Sequence, residues 1–470
     1  MCRKRFTSAG FYFICRICPF GGFFDILVGM RRLGFLLILF LWFIPAVAGA
    51  STITSAVKEY RLKNGLKVLI VEDHKAPLAT FQIWYRVGSV NEPAGKTGMS
   101  HLLEHMMFKG TPKYGSKQFS NIISRNGGTD NAFTTKEYTT YFQTIASDRI
   151  NISIELEADR MANLLLDPKE VAAEKNVVME ERRMRYEDEP QSAVYEDAVA
   201  AAFKAHPYHW PVIGWMSDIA SIQRADLYKY YRTYYSPDNA FIVISGDVQP
   251  ESILAKIEKE FGNIAPTNNK ARVNTVEPEQ QGERRIYVKK EAELPYITML
   301  YHVPNFPHED NFALDVLSTI LSDGRSSRLY KNIVYEKRLA LNASAEYSGF
   351  YRNPFLFTFS ATAAPGKPIE DVEKAIYEEI DRIKKEPPSE TEVQKAKNQI
   401  EASFIFAQDS NYSKALYAGM FEMMGDWRLM DKYLEGIRKV KPADVQAMAE
   451  KYLTCDNKTV GVLIPIKNSK

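Results

Sequence analysis

The chain has few cysteines, few histidines and no marked excess of charge of either sign. Its 470 residues include 4 cysteines and 7 histidines, and the formal net charge is +2. Cys2, Cys15 and Cys18 lie close to the N-terminus, which leaves Cys455 alone in the remainder. This distribution excludes a disulfide framework within one chain. The near balance of charge lacks the basic footprint of a nucleic-acid-binding protein, so no nucleic acid is expected as a partner.

Long hydrophobic runs are also missing. The apolar segment 33–44 has about 12 residues, fewer than the roughly 20 that a helix needs to cross a bilayer, so no permanent membrane span is expected. Arg31 and Arg32 precede this segment, and small residues follow it. The order is typical of a secretory signal peptide over residues 30–50, with cleavage after Ala48 or Ala50. It predicts a periplasmic or secreted protein, and the alternative is a protein tethered to the membrane by an uncleaved signal.

The signal begins late in the chain. Met30 stands directly before Arg31, so we hypothesise that residues 1–29 come from a misassigned start codon. The alternative is a long basic targeting extension of the transit-peptide type. Residues 1–50 hold six Lys/Arg and one acid, and removing this +5 from the total of +2 leaves 420 residues with a charge of −3. A chain of that length predicts two domains.

Two imidazoles and a carboxylate lie close together in the run His101-Leu102-Leu103-Glu104-His105. Residues four apart on an α-helix sit nearly above one another, so the two histidines can share a metal ion while Glu104 points to the same side. Zinc held by three protein ligands keeps a fourth position for water, and a neighbouring glutamate can accept the proton of that water. The run predicts hydrolysis of a carbonyl compound, with a peptide bond as the first candidate. The alternative is an amphipathic helix with two hydrogen-bonded histidines.

A third ligand is needed, and residues 170–189 predict an acidic helix. Glu174 and Glu181 are seven residues apart, which is two helical turns, and they therefore face the same way. Spacing alone does not choose between Glu180 and Glu181 as the ligand. Most carboxylates of this segment are explained equally well by a solvated helix face with Glu/Arg pairs.

The order of histidines and glutamate resembles the inverzincins, the pitrilysin and insulinase type of zinc metallopeptidase, in a bacterial branch similar to the processing peptidases. The resemblance extends over roughly residues 56–465. It also rests on the runs Asn131-Ala132-Phe133-Thr134, His206-Pro207-Tyr208 and Tyr235-Ser236-Pro237-Asp238-Asn239. It implies one Zn²⁺ per chain on His101, His105 and Glu181, with Glu104 as general base and Glu174 supporting a histidine or the water.

The resemblance also implies where a substrate binds. Asn131 and Ala132 correspond to an edge strand to which an extended peptide adds as a further strand, and the alternative is an ordinary edge strand. His206 and His209 form a second possible metal pair, but Pro207 and Pro211 argue against a helix that would hold them in register. We predict that these two histidines are structural or line a pocket.

The C-terminal half departs from the family pattern. Active relatives are expected to carry an arginine and a tyrosine shortly after a Ser-Ser-Arg-Leu run, here residues 326–329, to grip the substrate. Val334 or Tyr335 stands at the arginine position, and Leu341 stands at the tyrosine position. Such variants resemble the zinc-bearing half of two-protein peptidases. We therefore hypothesise a homologous, motif-lacking paralogue as partner, with a homodimer as the alternative.

An internal repeat predicts a duplicated domain. Asn239 and Asn457, each before an apolar run, are 218 residues apart, a period too long for a solenoid. The predicted fold is α+β, with two homologous α/β sandwich domains facing each other around a cavity. The predicted boundaries are residues 51–265 for the N-terminal zinc-binding domain, 266–282 for a polar linker and 283–470 for the C-terminal domain. The aromatic residues Phe133, Tyr138 and Tyr141 are assigned mainly to core packing.

The leading functional hypothesis is an exported zinc-dependent endopeptidase that hydrolyses extended or unfolded peptides. Alternatives are a catalytic subunit that requires an inactive paralogue, a non-catalytic scaffold, and a mitochondrial-type processing subunit. Glu104 argues against a scaffold, because a scaffold needs no spare carboxylate beside a metal ion.

Overall fold

The computed structural model describes residues 56–268 and 273–466. The predicted signal peptide, the hypothesised start at Met30 and the cysteines before it lie outside these residues. Within the described ranges, no helix has the length and apolar character needed to cross a membrane.

The described residues contain eleven β-strands and fourteen α-helices. The strands are β1 (Val57–Arg61), β2 (Lys67–Glu72), β3 (Leu78–Tyr85), β4 (Thr129–Thr134), β5 (Thr139–Ala146), β6 (Ala240–Gly246), β7 (Arg284–Glu291), β8 (Tyr296–Val303), β9 (Ala340–Tyr347), β10 (Phe355–Ala363) and β11 (Lys458–Ile466). The helices are α1 (Met99–Met106), α2 (Gln118–Arg125), α3 (Ile150–Asn163), α4 (Pro168–Arg182), α5 (Pro190–Ala202), α6 (Met216–Ser221), α7 (Arg224–Tyr234), α8 (Pro250–Phe261), α9 (Asp310–Ser322), α10 (Ile369–Lys385), α11 (Glu390–Phe406), α12 (Asn411–Met423), α13 (Leu429–Lys439) and α14 (Pro442–Tyr452).

The two halves contain sheets of the same design. The first has the strand order β1-β2-β6-β3-β5-β4, and the second has the order β7-β11-β8-β10-β9. In each sheet one pair is parallel, β2 with β6 and β7 with β11, while β3 and β8 run antiparallel to both neighbours. β4 and β9 form the corresponding edges. The predicted duplicated α+β fold is confirmed.

The repeated asparagines make the same hydrogen bond in both halves. Asn239 Nδ2 donates to the carbonyl oxygen of Tyr234 at 2.9 Å, and Asn457 Nδ2 donates to that of Tyr452 at 2.8 Å. Each asparagine thereby closes the turn between a helix and the central strand that follows it. The sequence repeat therefore corresponds to one structural unit used twice.

Each half contributes one helix that packs on the sheet of the other half. α5 of the first half packs against β7, β8 and β11, whereas α12 of the second half packs against β2, β3 and β6. Gly461 on β11 permits the first contact, because a Cβ there would lie 3.0 Å from Ala198 and Val194 of α5. Gly419 on α12 permits the second, because a Cβ there would lie 2.3 Å from the indole of Trp84. The described residues after position 50 consequently belong to one compact unit.

A buried ionic contact reinforces this exchange. Glu422 on α12 is 1% exposed, and its Oε1 lies 2.7 Å from Arg86 Nη2 and 2.8 Å from Lys67 Nζ. Trp84 and Phe241 of the first half also belong to the same hydrophobic core as the second sheet. Apolar packing and the carboxylate of Glu422 thus help to hold the two halves together.

The described parts of the predicted linker contact both halves. Thr267 N and Asn268 N donate to the carboxylate of Asp238. Further along, the carboxylate of Glu277 accepts hydrogen bonds from the backbone of residues 204–206, and Gln280 Nε2 donates to Lys458 O at 2.7 Å. The segment is therefore fastened to the fold on both sides of residues 269–272.

Candidate metal centre

The helix that carries the histidine pair is fixed at its first turn by a carboxylate. Glu92 Oε2 accepts a hydrogen bond from Gly98 N at 2.7 Å, and its Oε1 accepts one from Ser100 N at 2.6 Å. These bonds satisfy two N–H groups that a helix start leaves without an intrahelical partner. Gly98 has φ +92°, and a Cβ there would lie 2.4 Å from the carbonyl oxygen of Ile213. Only glycine fits this start of α1.

Helix α4 brings the third acidic ligand beside α1. It begins with Pro168 after Asp167, whose side chain accepts hydrogen bonds from Lys169 N and Glu170 N, a favourable helix start. Glu181 lies near both histidines. Glu180 is 63% exposed and pairs with Arg183 instead. The choice that spacing left open therefore falls on Glu181.

The three side chains converge on a common point. The ligand atoms of His101, His105 and Glu181 all lie within 4.8 Å of one another. His105 Nε2 is 3.4 Å from Glu181 Oε2, and His101 Nε2 is 3.8 Å from Glu181 Oε1. Ligand atoms around a tetrahedral zinc ion, with bonds of about 2.0–2.2 Å, are about 3.3–3.6 Å apart. The residues present therefore fit zinc.

Glu174 lies behind His105. Its Oε1 is 2.9 Å from His105 Nδ1, and its Oε2 is 2.5 Å from Lys109 Nζ. The carboxylate thereby holds Nδ1–H and leaves Nε2 facing Glu181, which fixes the tautomer that a metal ligand needs. Glu174 is therefore placed to orient His105.

Glu104 lies beside the cluster without belonging to it. Its Oε2 accepts a hydrogen bond of 2.5 Å from Thr134 Oγ1 at the end of β4. Burial raises the pKa of Glu104, although the Thr134 hydrogen bond and His105 act in the opposite direction. A carboxylate with a raised pKa beside a metal centre is suited to accept and return a proton.

The two histidines differ in ionisation. Burial and, to a smaller extent, the neighbouring His105 lower the pKa of His101 to about 4, although Glu181 acts in the opposite direction. Burial also lowers the pKa of His105, but its hydrogen bonds to Glu174 and Glu181 outweigh this and raise the pKa to about 9. In the metal-free protein at neutral pH, we therefore expect His101 to be neutral and His105 to be protonated on both ring nitrogens and positively charged.

Asn131 and Ala132 lie on β4, the edge strand of the first sheet. They pair with Phe142 and Tyr141 of β5 on one side only. Asn131 Oδ1 accepts a hydrogen bond from Ala132 N at 2.9 Å. β4 also carries Thr134, whose hydroxyl donates a hydrogen bond to Glu104, so this edge strand ends beside the residues of the metal centre.

A cavity of about 290 Å³ lies between the halves, just beyond the end of β4. Its aromatic lining includes Tyr195, Trp210, Tyr351 and Phe355. Lys136 also lines it and donates hydrogen bonds of 2.8 and 2.7 Å to the carbonyl oxygens of Tyr208 and Trp210. The combination of apolar walls and few polar groups is typical of a pocket for an apolar side chain.

The remaining histidines and aromatics of interest have structural positions. His206 is buried, and its Nδ1 accepts a hydrogen bond from Tyr208 N, whereas His209 lines the cavity described above. Tyr138 and Tyr141 are each buried in a different one of the two main hydrophobic cores, and Phe133 packs against Tyr138. These residues lie where the sequence predicted.

The expected substrate clamp positions are exposed and apolar. Tyr335, in the π-helical segment Tyr330–Glu336, is 72% exposed, and Leu341 on β9 is 54% exposed. Neither side chain supplies a positive charge. Val334, the other residue that could stand at the arginine position, is half-buried. These positions therefore hold no arginine, and the expected tyrosine position holds the exposed Leu341.

Two contributors to the site escaped sequence reasoning. Thr134 was part of a quoted run, but its hydroxyl reaches Glu104 across 30 residues of chain. Glu92 lies only a few residues before α1, and a single acid in a loop carries no recognisable signal. Both roles depend on how the loop and strand pack against α1.

Comparison with known proteins places the chain in a family. The model of insulinase (peptidase family M16) matches residues 67–214, and that of the peptidase M16 inactive domain matches residues 221–400. A Helicobacter pylori protein named zinc protease PqqE is 33% identical over 86% of this chain and 92% of its own length. A Bacillus subtilis protein named uncharacterized zinc protease YmxG is 27% identical over 85% of this chain and 96% of its own.

Solved structures agree with this assignment. The crystal structure of a protease from Helicobacter pylori superposes with a TM-score of 0.84 at 32% identity, and covers 87% of this chain and 99% of that one. A peptidase M16 inactive domain from Pseudomonas fluorescens has a TM-score of 0.79 at 16% identity, covers 88% and 99% of the two chains, and shows the fold alone. This chain is therefore a member of the insulinase family of peptidases, family M16.

Proposed function

We propose that the chain is an exported, zinc-dependent endopeptidase that hydrolyses extended or unfolded peptides. The observation that carries the proposal is the convergence of His101, His105 and Glu181, with Glu104 held beside them by Thr134. A structural zinc site has four protein ligands, so it leaves no position for water and needs no additional carboxylate. The names of the Helicobacter pylori and Bacillus subtilis relatives, both zinc proteases, support the same chemistry.

Zinc, when bound by the three ligands, would act as a Lewis acid and lower the pKa of a bound water molecule. Glu104 accepts the proton from the attacking water and later delivers it to the leaving amine. The hydroxyl of Thr134 keeps the carboxylate of Glu104 oriented during both transfers. Glu174 and Lys109 hold His105 in position from the far side.

The preference for extended peptides follows from β4. A substrate that adds to the free edge of β4 needs its own backbone N–H and C=O groups unpaired, a condition that an extended peptide meets along its whole length and a folded domain meets only at its edge strands. The neighbouring cavity of about 290 Å³ would take an apolar side chain of the bound peptide. Asn131 and Ala132 are the residues proposed to receive the substrate backbone.

We also propose that the chain acts together with a second, homologous chain. The exposed Tyr335 and Leu341 stand where a clamp was expected, and a motif-lacking paralogue could contribute the missing groups. A homodimer is the second arrangement of this kind. Export to the periplasm or the medium is proposed from the leader sequence, residues 30–50.

Three variants test the proposed function. Purified protein is analysed for bound zinc and incubated with a library of unstructured peptides. Glu104→Gln is expected to retain zinc and lose hydrolysis, whereas His101→Ala and Glu181→Ala lose both, because only the last two remove a ligand. Glu180→Gln is the matched control and keeps both properties. Cleavage by Glu104→Gln at the rate of the unaltered protein would overturn the mechanism, and zinc binding without any cleavage would favour the scaffold.

A further inference from the structure

The helix that carries Glu181 changes its hydrogen-bond pattern just after this residue. α4 continues into a π-helical segment, Arg183–Glu187. Such segments are rare and occur frequently at functional sites. The segment contains Arg185, whose Nη2 lies 2.9 Å from Glu181 Oε1, four residues earlier in the chain.

Arg185 differs from the two arginines before it. Arg182 is buried and bonded to Glu196, and Arg183 pairs with Glu180 on the outer face. Arg185 is 67% exposed while in contact with the carboxylate of a metal ligand. A guanidinium has five N–H donors, so most of them remain available on the open side of the site.

Arg185 lies beside the metal-centre residues. The oxygen that it contacts, Glu181 Oε1, also lies 3.8 Å from His101 Nε2. A peptide bound at the metal centre would therefore lie next to the guanidinium of Arg185.

We propose that Arg185 is a substrate-binding residue, which donates hydrogen bonds to an oxygen of the bound peptide next to the cleaved bond. This rests on the proposed endopeptidase function. Arg185 thereby supplies from the zinc-binding half the positive charge that Val334, Tyr335 and Leu341 do not supply from the other half. The planar, rigid fork of arginine suits a carbonyl or carboxylate oxygen while one arm stays on Glu181.

The test uses peptide binding in addition to turnover. Glu104→Gln provides a zinc-loaded, inactive background in which the dissociation constant of an unstructured peptide is measured directly. Adding Arg185→Ala is expected to weaken peptide binding about tenfold or more, since a hydrogen bond to a charged group contributes roughly 1.5–3 kcal/mol, and Arg185→Lys is expected to recover part of it. Arg183→Ala is the matched control, with unchanged peptide binding.

A separate measurement distinguishes substrate binding from support of Glu181. The zinc affinity of Arg185→Ala is expected to stay within about threefold of that of the unaltered protein, whereas KM rises in the otherwise active protein. A peptide with glutamate near the cleavage site and its glutamine counterpart distinguish a side-chain carboxylate from a backbone carbonyl. If Arg185→Ala weakens the binding of both equally, the bound oxygen belongs to the backbone.

Two results would overturn the proposal. Unchanged peptide binding in Arg185→Ala, in a protein that cleaves peptides, refutes the role of Arg185 and leaves the proposed function intact. A loss of peptide binding that merely follows a loss of zinc shows that Arg185 supports Glu181 instead. Should the zinc-loaded background bind no peptide and the unaltered protein cleave none, the proposed function fails and this inference fails with it.

Discussion

His105 lies between two carboxylates: its Nδ1 is 2.9 Å from Glu174 Oε1, and its Nε2 is 3.4 Å from Glu181 Oε2. One carboxylate therefore orients the ring, and the other would share a bound metal ion with it. This arrangement couples the orientation, the protonation and the metal affinity of a single side chain.

Replacing Glu174 with glutamine is expected to weaken zinc binding by about 10- to 100-fold, the usual effect of removing a hydrogen-bond partner of a metal ligand. The amide also loses the ion pair with Lys109. Chelator competition at pH 7.5 measures the affinity, and zinc added in excess should restore most of the turnover. Glu180→Gln, one residue before the ligand and mostly exposed, is the control. Equal zinc affinity in the two variants would contradict the orienting role of Glu174.

Zinc binding is expected to release close to one proton near neutral pH. Burial lowers the pKa of His105, but the hydrogen bonds to Glu174 and Glu181 raise it to about 9, so the ring must lose a proton before Nε2 can bind the ion. Below pH 9 the zinc affinity should thus fall about tenfold for each pH unit. Above pH 9 it should level off, because the ring is already neutral.

Calorimetry in two buffers with different heats of ionisation measures this proton release. At pH 7.5 the unaltered protein should release about one proton per zinc ion, and Glu174→Gln should release less, because the loss of one hydrogen bond lowers the pKa of His105. A zinc affinity that stays flat from pH 9 to pH 6 would be incompatible with a protonated His105 in the metal-free protein.

Removing the hydroxyl of Thr134 is expected to slow hydrolysis without removing the metal ion. In Thr134→Val, Glu104 loses its only described hydrogen-bond donor, and kcat should fall about tenfold, which is less than the 10²- to 10⁴-fold that general base catalysis contributes in full. Burial already raises the pKa of Glu104, and the Thr134 bond counteracts this. The acidic limb of the pH profile should therefore move to higher pH in the variant. Thr134→Ser keeps the hydroxyl and is the control for both readouts.

The ligands were accessible to sequence reasoning because their spacing is dictated by helix geometry. His101 and His105 need only one turn of α1, and Glu174 and Glu181 need only two turns of α4. The decision for Glu181 over Glu180 came from resemblance, and it depends physically on which face of α4 packs against α1. Glu92 and Thr134 could not be found in this way, since their bonds form only when a loop and a strand close around α1.

The duplicated fold was predictable from the repeat, but the exchange of helices was not. Nothing in the sequence around Ala198 indicates that α5 covers the second sheet, because an apolar helix face can pack on either sheet. The contact becomes specific only where Gly461 and Gly419 allow close approach. The domain boundaries at residues 265 and 283 stay a prediction, since α5 and α12 each pack on the sheet of the other half.

The hypothesis of a homologous partner gives a distinct prediction about rates. If a second chain contributes the groups missing at Tyr335 and Leu341, the purified chain alone should cleave peptides slowly, and a motif-lacking paralogue from the same cell should raise kcat/KM at least tenfold. Size-exclusion chromatography with light scattering then shows whether the active species contains one chain or two. Full activity of a monomer, unchanged by any paralogue, would refute the hypothesis.

Glu422 provides a test of how the two halves are held together. In Glu422→Ala, Arg86 and Lys67 are left near a buried surface without their shared carboxylate, and breaking a buried ion pair in this way costs about 3–5 kcal/mol of unfolding free energy. Burial already lowers the pKa of Arg86, and Glu422 opposes that effect, which shows that the carboxylate stabilises the charged guanidinium. Glu401→Ala is the matched control.

Glu401 also pairs with an arginine, Arg438, but both side chains are solvent-accessible, and an exposed pair contributes about 0–1 kcal/mol. Urea-induced unfolding followed by tryptophan fluorescence measures both variants, and Trp84 and Trp427 report from the shared core. Glu422→Ala should unfold at a clearly lower urea concentration than Glu401→Ala while retaining zinc affinity in the folded state, because the ligands lie on α1 and α4. Identical unfolding of the two variants would mean that the buried carboxylate of Glu422 contributes nothing to the association of the two halves.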